Sequence, residues 1–147
     1  MRRTAFAAFV VLAVAAVALH SPVASADRTF KVIVHPEVVG SKIPRQILSS
    51  IFLKEVARWG TGEPVHPVDQ SMRSSVRAAF TEDVLARPFG GIAFFWAERI
   101  KKGVAPPPVK QIDADVISYV AGTKGAIGYV SISTPVPESV KTLSLIE

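Results

Sequence analysis

Asp69, Ser71, Arg73, Ser74 and Arg77 fall within nine consecutive residues of this chain. Between them they offer a carboxylate, two hydroxyls and two guanidiniums. The hydroxyls and guanidiniums are groups that bind a small oxyanion. The segment around them, Pro67 to Phe80, reads as a strand leaving a sheet, a short polar turn and then a helix. A helix start carries unpaired N–H groups and the positive end of the dipole, so it suits an anion. Ser71 sits where an N-cap belongs and Arg73 falls in the first turn of this expected helix. A cation there is unfavourable unless a negative group lies beside it, either a ligand or Asp69.

Each of these residues also has a plainer role. Ser71 as an N-cap alone contributes about 1 kcal/mol, enough to account for a serine. Asp69 reads as a turn residue or as the ion partner of Arg73, since a carboxylate beside a dianion repels it. Arg73 and Arg77 are four apart, so on one helix they share a face. There they either offer planar bidentate donors to phosphate or sulfate, or stand in solvent.

Other chemistry is poorly supported. His35 and His66 each precede a proline, and no His/Cys cluster has metal-ligand spacing. No Gly-x-Ser-x-Gly elbow accompanies the serines, so the sequence does not read as an enzyme, and no cofactor is implied. Trp59, Trp96, Phe89 and Phe95 read as core. Gly125 and Gly128 read as helix termination and close strand packing.

The elements that must position the polar turn follow from periodicity. Phe30 to His35 is β-rich and reads as a buried strand, followed by a loop to Lys42. Pro44 suits a first helical residue, and Ile47, Leu48, Ile51 and Phe52 recur at helical spacing in a helix that must end by Gly60. Val65 to Val68 reads as a second strand. Met72, Val76, Ala79 and Phe80 share a face, which predicts a helix from Met72 to Leu85. Phe89, Ile92, Ala93, Trp96 and Ile100 predict another, closed by Lys101-Lys102-Gly103. Pro106-Pro107-Pro108 forms a stiff connection. Val116, Ile117, Val120 and Ala121 predict a fourth helix, with Asp113 and Asp115 near its favourable N-terminal end. Ala126–Ile132 and Val140–Ile146 read as strands. The order β-α-β-α-α-α-β-β points to an α/β sheet flanked by helices.

The first 26 residues read as a cleavable signal peptide. Arg2 and Arg3 precede an apolar run of 15 residues, Ala5 to Leu19, and Ala24-Ser25-Ala26 fits a small-x-small cleavage site. Fifteen residues are short for a spanning helix, which needs about 20. The arginines lack the flanking residues of a twin-arginine signal, so ordinary export to the periplasm is expected. The membrane enters only through that export. The chain has no cysteine, which rules out a lipid anchor of the lipoprotein type and any disulfide. Cleavage leaves residues 27–147 as one domain of 121 residues with net charge +3. No dense basic stripe suggests nucleic-acid binding, and a mild preference for anions is all that charge implies.

Ile51-Phe52-Leu53, Trp59, Pro67-Val-Asp-Gln-Ser71 with Phe80, Trp96 and Gly125-Ala-Ile-Gly-Tyr-Val130, taken in order, resemble the periplasmic phosphate-binding components of ABC transporters. The resemblance runs from about Val32 to Ile146. It implies a single lobe of a type II periplasmic-binding-protein-like fold, with a mixed sheet flanked by helices. Full-length members of that family are two-lobed clamshells that close on phosphate, so opposing ligand contacts would come from a second copy or an envelope protein partner. The family pattern at the anion turn is Arg, then Asp, then Ser-Gly-Thr. Asp69 and Ser71 match it, whereas Pro67, Met72 and Arg73 stand at the Arg, Gly and Thr positions. The resemblance therefore implies capture of a small oxyanion, with Arg73 and Arg77 compensating for the departures. The rival implication is a lobe that has lost its ligand and serves as an interaction module in the envelope.

Overall fold

The computed structural model describes residues 28–147. The signal-peptide expectation for residues 1–26 lies outside the described residues.

Phe-Lys-Val-Ile-Val at Phe30–Val34 forms β1, as its β-branched residues favour. Lys42–Pro44 forms β2, and Arg45–Phe52 forms α1. His66–Pro67 is β3 and Asp69–Gln70 is β4. Ser75–Phe80 is α2, continued by a π-helical turn at Thr81–Leu85 that ends at Ala86 with φ 49°. Phe89–Lys101 is α3, Val109–Lys110 is β5 and Asp113–Gly122 is α4. Ala126–Ser131 is β6 and Lys141–Ile146 is β7.

Five strands form a mixed sheet in the order β2-β7-β1-β6-β3. β1 is central and antiparallel to both β6 and β7, while β2 and β3 run parallel to their neighbours. Side chains alternate between its two faces. Phe30, Val32 and Val34 of β1, with Ile127 and Tyr129 of β6, meet Leu48, Ile51 and Phe52 of α1 and Phe80 of α2. Ile33, Ala126 and Val130 meet Val116 and Val120 of α4 on the other face. Gly128 lies beneath α4, where a Cβ would come within 2.8 Å of Val116 and Val68 side-chain carbons. Its missing side chain lets helix and sheet approach closely. The fold is thus the expected mixed sheet between helical layers.

Several boundaries differ from the sequence reading. Pro44 ends β2 and stands at the N-cap of α1, rather than as its first helical residue. The expected strand Val65–Val68 is split. His66 and Pro67 pair with β6, and the chain then crosses to pair β4 with β5 in a separate two-stranded ladder. In α3, Ile92 is buried, but Ala93 is exposed and Ile100 is 55% exposed.

Candidate functional site

β4 and β5 fix one edge of the polar turn. Asp69 N–H donates to Pro108 O at 2.8 Å, and Ser71 N–H donates to Lys110 O at 2.9 Å. Ser74 N–H then donates to Ser71 O at 2.9 Å, closing a turn before the helix. Ser74 is the N-cap: its Oγ accepts Arg77 N–H at 3.3 Å. Ser71 Oγ accepts Arg73 N–H at 3.3 Å within the turn.

The expected helix start at Met72 with a Ser71 cap is therefore corrected to Ser75 with a Ser74 cap. The reason lies outside the segment. Ser74 Oγ donates to Gln70 Oε1 at 2.7 Å, while Gln70 Nε2 donates to Asp113 Oδ1 and Tyr129 O, each at 2.8 Å. This buried amide, 2% exposed, pins the cap where it is. Ser74→Ala is expected to cost about 1 kcal/mol in urea unfolding, and Ser71→Ala at most a few tenths. Equal losses would contradict the assignment.

Arg73 and Arg77 consequently do not share a helical face. Arg77 is buried, and its Nε and Nη2 each lie 3.1 Å from Asp69 Oδ2. The Tyr129 hydroxyl donates to Asp69 Oδ1, which also accepts Gln70 N–H at 2.8 Å. Asp69 is thus the ion partner of Arg77, not of Arg73. Burial, and then the adjacent carboxylate, push the Tyr129 phenol well above its ordinary range and keep it a donor. Its ring stacks on Phe80 at 3.9 Å, so the polar cluster is anchored directly in the core.

Arg73 is exposed, and among the described residues its guanidinium has no hydrogen-bond or ion-pair partner. It lines an open hollow of about 540 Å³ with Gln70, Ser71, Ser74, Ser75 and residues Gln111 to Ala114, which lead into α4. Met72 does not fill this space; it is 53% exposed and is not among the lining residues. Asp113 faces the hollow with its charge already satisfied. Oδ1 accepts from Gln70, and Oδ2 accepts Ser131 N–H at 2.9 Å and the Thr134 hydroxyl at 2.5 Å.

Donor bookkeeping separates the serines. The Ser74 proton is committed to Gln70, whereas Ser71 uses only an oxygen lone pair on Arg73 N–H and keeps its proton for a further acceptor. Gln70, Asp113 and Tyr129 were not identified as parts of this site from sequence. The available signal was an amide between two turn residues and an Asp at a helix start. Among the described residues no group of three or more His, Cys, Asp or Glu could hold a metal ion.

No protein-family model matches the chain, and no curated protein matches it. Solved structures do. A protein assigned as a phosphate ABC transporter substrate-binding protein of Clostridium perfringens, solved with bound phosphate, matches with TM-score 0.64 and 19% identity over 80% of this chain and 44% of its own. An ABC-type phosphate transport receptor from Vibrio cholerae matches with TM-score 0.62 and 16% identity over 80% and 46%. PstS from Borrelia burgdorferi matches with TM-score 0.62 and 15% identity over 80% and 47%. This chain spans less than half the length of each, and its fold is that of one lobe of such binding proteins.

Proposed function

We propose that this domain is an exported, periplasmic binding lobe that captures a small oxyanion, phosphate or a similar ion, in the hollow beside Ser71. The observation that carries this reading is the convergence of an unengaged guanidinium, Arg73, and an unengaged hydroxyl proton, Ser71, on one open hollow. Arg77, Asp69 and Ser74 act behind them by holding the turn in shape. The structural neighbours named as phosphate-transport proteins support the class of ligand. With one arginine in the hollow and Asp113 facing it, affinity in a single lobe is modest.

A thermal-shift screen of phosphate, sulfate and related oxyanions tests this. Ligand at about 100 times Kd adds about 2.7 kcal/mol to native-state stability. Arg73→Ala removes a charge-assisted bond worth about 1.5–3 kcal/mol, so Kd is expected to rise ~10- to 100-fold. A wild-type protein indifferent to every oxyanion, or an Arg73→Ala variant that binds equally well, would sink the reading.

A second reading rests on Met72, Val109 and Ile112, which are 53%, 51% and 57% exposed on the turn and on the segments facing it. Exposed apolar side chains around a polar hollow suit an envelope protein partner that covers it. In that case no anion shifts the melting temperature, and Ile112→Glu abolishes partner binding without affecting the fold.

A further inference from the structure

Asp113 sets a negative charge on the same hollow as Arg73. Each oxygen of a carboxylate can accept twice. Oδ2 does so, from Ser131 N–H and the Thr134 hydroxyl, whereas Oδ1 accepts from Gln70 Nε2 alone. Among the described residues, one acceptor site on Oδ1 is therefore left over. All three donors are neutral groups. They stabilise the carboxylate without cancelling its charge. Asp69 and Arg77, behind the turn, balance each other. The charged side chains that line the hollow are thus one cation, Arg73, and one anion, Asp113.

This arrangement disfavours a free dianion. Arg73 matches one of its charges, and Asp113 repels it. A ligand with one negative and one positive charge is complementary to both side chains. Size agrees, since about 540 Å³ lies within the range of about 300–1,000 Å³ for pockets that take organic ligands. The lining agrees as well. Ile112, 57% exposed and next to Asp113 in the chain, offers apolar contact to a carbon bridge between two charged ends.

We propose that the hollow takes a phosphodiester of ethanolamine, with its phosphoryl oxygens on the Arg73 guanidinium and the Ser71 hydroxyl and its primary ammonium on Asp113 Oδ1. The proposal rests on the oxyanion reading of this site and names the ligand class. A phosphodiester carries a single negative charge, which one guanidinium matches. Its ammonium supplies an N–H donor to the open site on Oδ1. The same chemistry occurs in a soluble glycerophosphodiester and in a lipid headgroup.

Isothermal titration of the wild-type protein with glycerophosphoethanolamine, glycerophosphocholine and inorganic phosphate tests this. Choline keeps the positive charge but has no N–H. Glycerophosphoethanolamine is therefore expected to bind about 10- to 100-fold tighter than glycerophosphocholine, the worth of one charge-assisted hydrogen bond, and also tighter than phosphate. Asp113→Asn is expected to weaken glycerophosphoethanolamine and to tighten phosphate, because it removes the partner of one and the repeller of the other. General damage to the hollow would weaken both. If that variant does not fold, the ligand series on the wild-type protein decides. Co-sedimentation with phosphatidylcholine vesicles, with and without phosphatidylethanolamine, separates the sources. Capture that needs phosphatidylethanolamine assigns the headgroup, and binding of the soluble diester without capture assigns the free compound. Glycerophosphoethanolamine no tighter than glycerophosphocholine, phosphate the tightest of the three, or Asp113→Asn weakening both ligands alike overturns the proposal and leaves the oxyanion reading standing. A protein that binds none of the three probes overturns both.

Discussion

Asp69→Ala is expected to destabilise the domain by about 3–5 kcal/mol, the range for breaking a buried ion pair by removing one partner. The side chains of Arg77 and Asp69 are 7% and 13% exposed, so water cannot replace the lost carboxylate. Two further donors lose their acceptor at the same moment, the Tyr129 hydroxyl and Gln70 N–H. Urea unfolding with Asp69→Ala, Arg77→Met and the double variant measures the effect. The double variant should be more stable than Asp69→Ala, because it no longer leaves a cation buried without that carboxylate. Asp69→Asn should fall between wild type and Asp69→Ala, since an amide oxygen can still accept from Tyr129. Arg73→Ala, at an exposed side chain, should stay within about 0.5 kcal/mol of wild type. That contrast matters for function. Loss of anion response in an Asp69 variant would report a collapsed turn, whereas loss in Arg73→Ala reports a removed ligand group. A loss below about 1 kcal/mol for Asp69→Ala would show that the pair is not the buried hub described here.

The limits of sequence reading are visible within this one turn. β1 and β6 were legible because five- and six-residue runs rich in β-branched and apolar residues span the sheet. β2 and β5, three and two residues long, carry no periodicity of their own and exist only through their partners β7 and β4. Ser71 and Ser74 are equally good caps by residue type. The choice between them is made by Gln70, by Asp113 at the start of α4 and by the Lys110 carbonyl, all contacts formed on folding. Moving the helix start to Ser75 removes Arg73 from the helix, so the i, i+4 argument for two converging arginines lost its premise. Arg77 instead sets its guanidinium against Asp69 from within α2. Pro67 fits as the last residue of β3. In α3, a face chosen by spacing included Ile100, but burial of Ile92 and anchoring of Arg99 rotate the helix so that Ile100 points outward.

Gly125→Ala should cost about 3 kcal/mol or more, although it adds a single methyl group. Gly125 has φ +78°, a left-handed conformation that costs a residue with a Cβ about 1–2 kcal/mol. Sterics add to this, because the new Cβ would stand 2.2 Å from the Pro64 carbonyl oxygen, a backbone atom that cannot rotate away. Relief requires moving the 63–65 segment, and other bonds oppose that motion. The Gly125 carbonyl accepts the Trp59 indole N–H at 2.9 Å and His66 N–H at 3.1 Å, and Trp59 N–H in turn donates to Glu63 O at 2.8 Å. The substitution therefore strains a backbone joint at the start of β6, the strand that carries Tyr129 to Asp69. Gly60→Ala is the matched control: its added Cβ meets nothing within 4 Å and its φ is not in the left-handed region. It should be neutral or stabilising by about 0.4–1 kcal/mol. Denaturant unfolding followed by tryptophan fluorescence reads both variants, and Trp59 serves as a reporter at the joint itself. If Gly125→Ala unfolds within about 0.5 kcal/mol of wild type, segment 63–65 is free to shift. Trp59 would then not lock β3 to β6, and Tyr129 would be held in register by its pairing with Val32 of β1 instead.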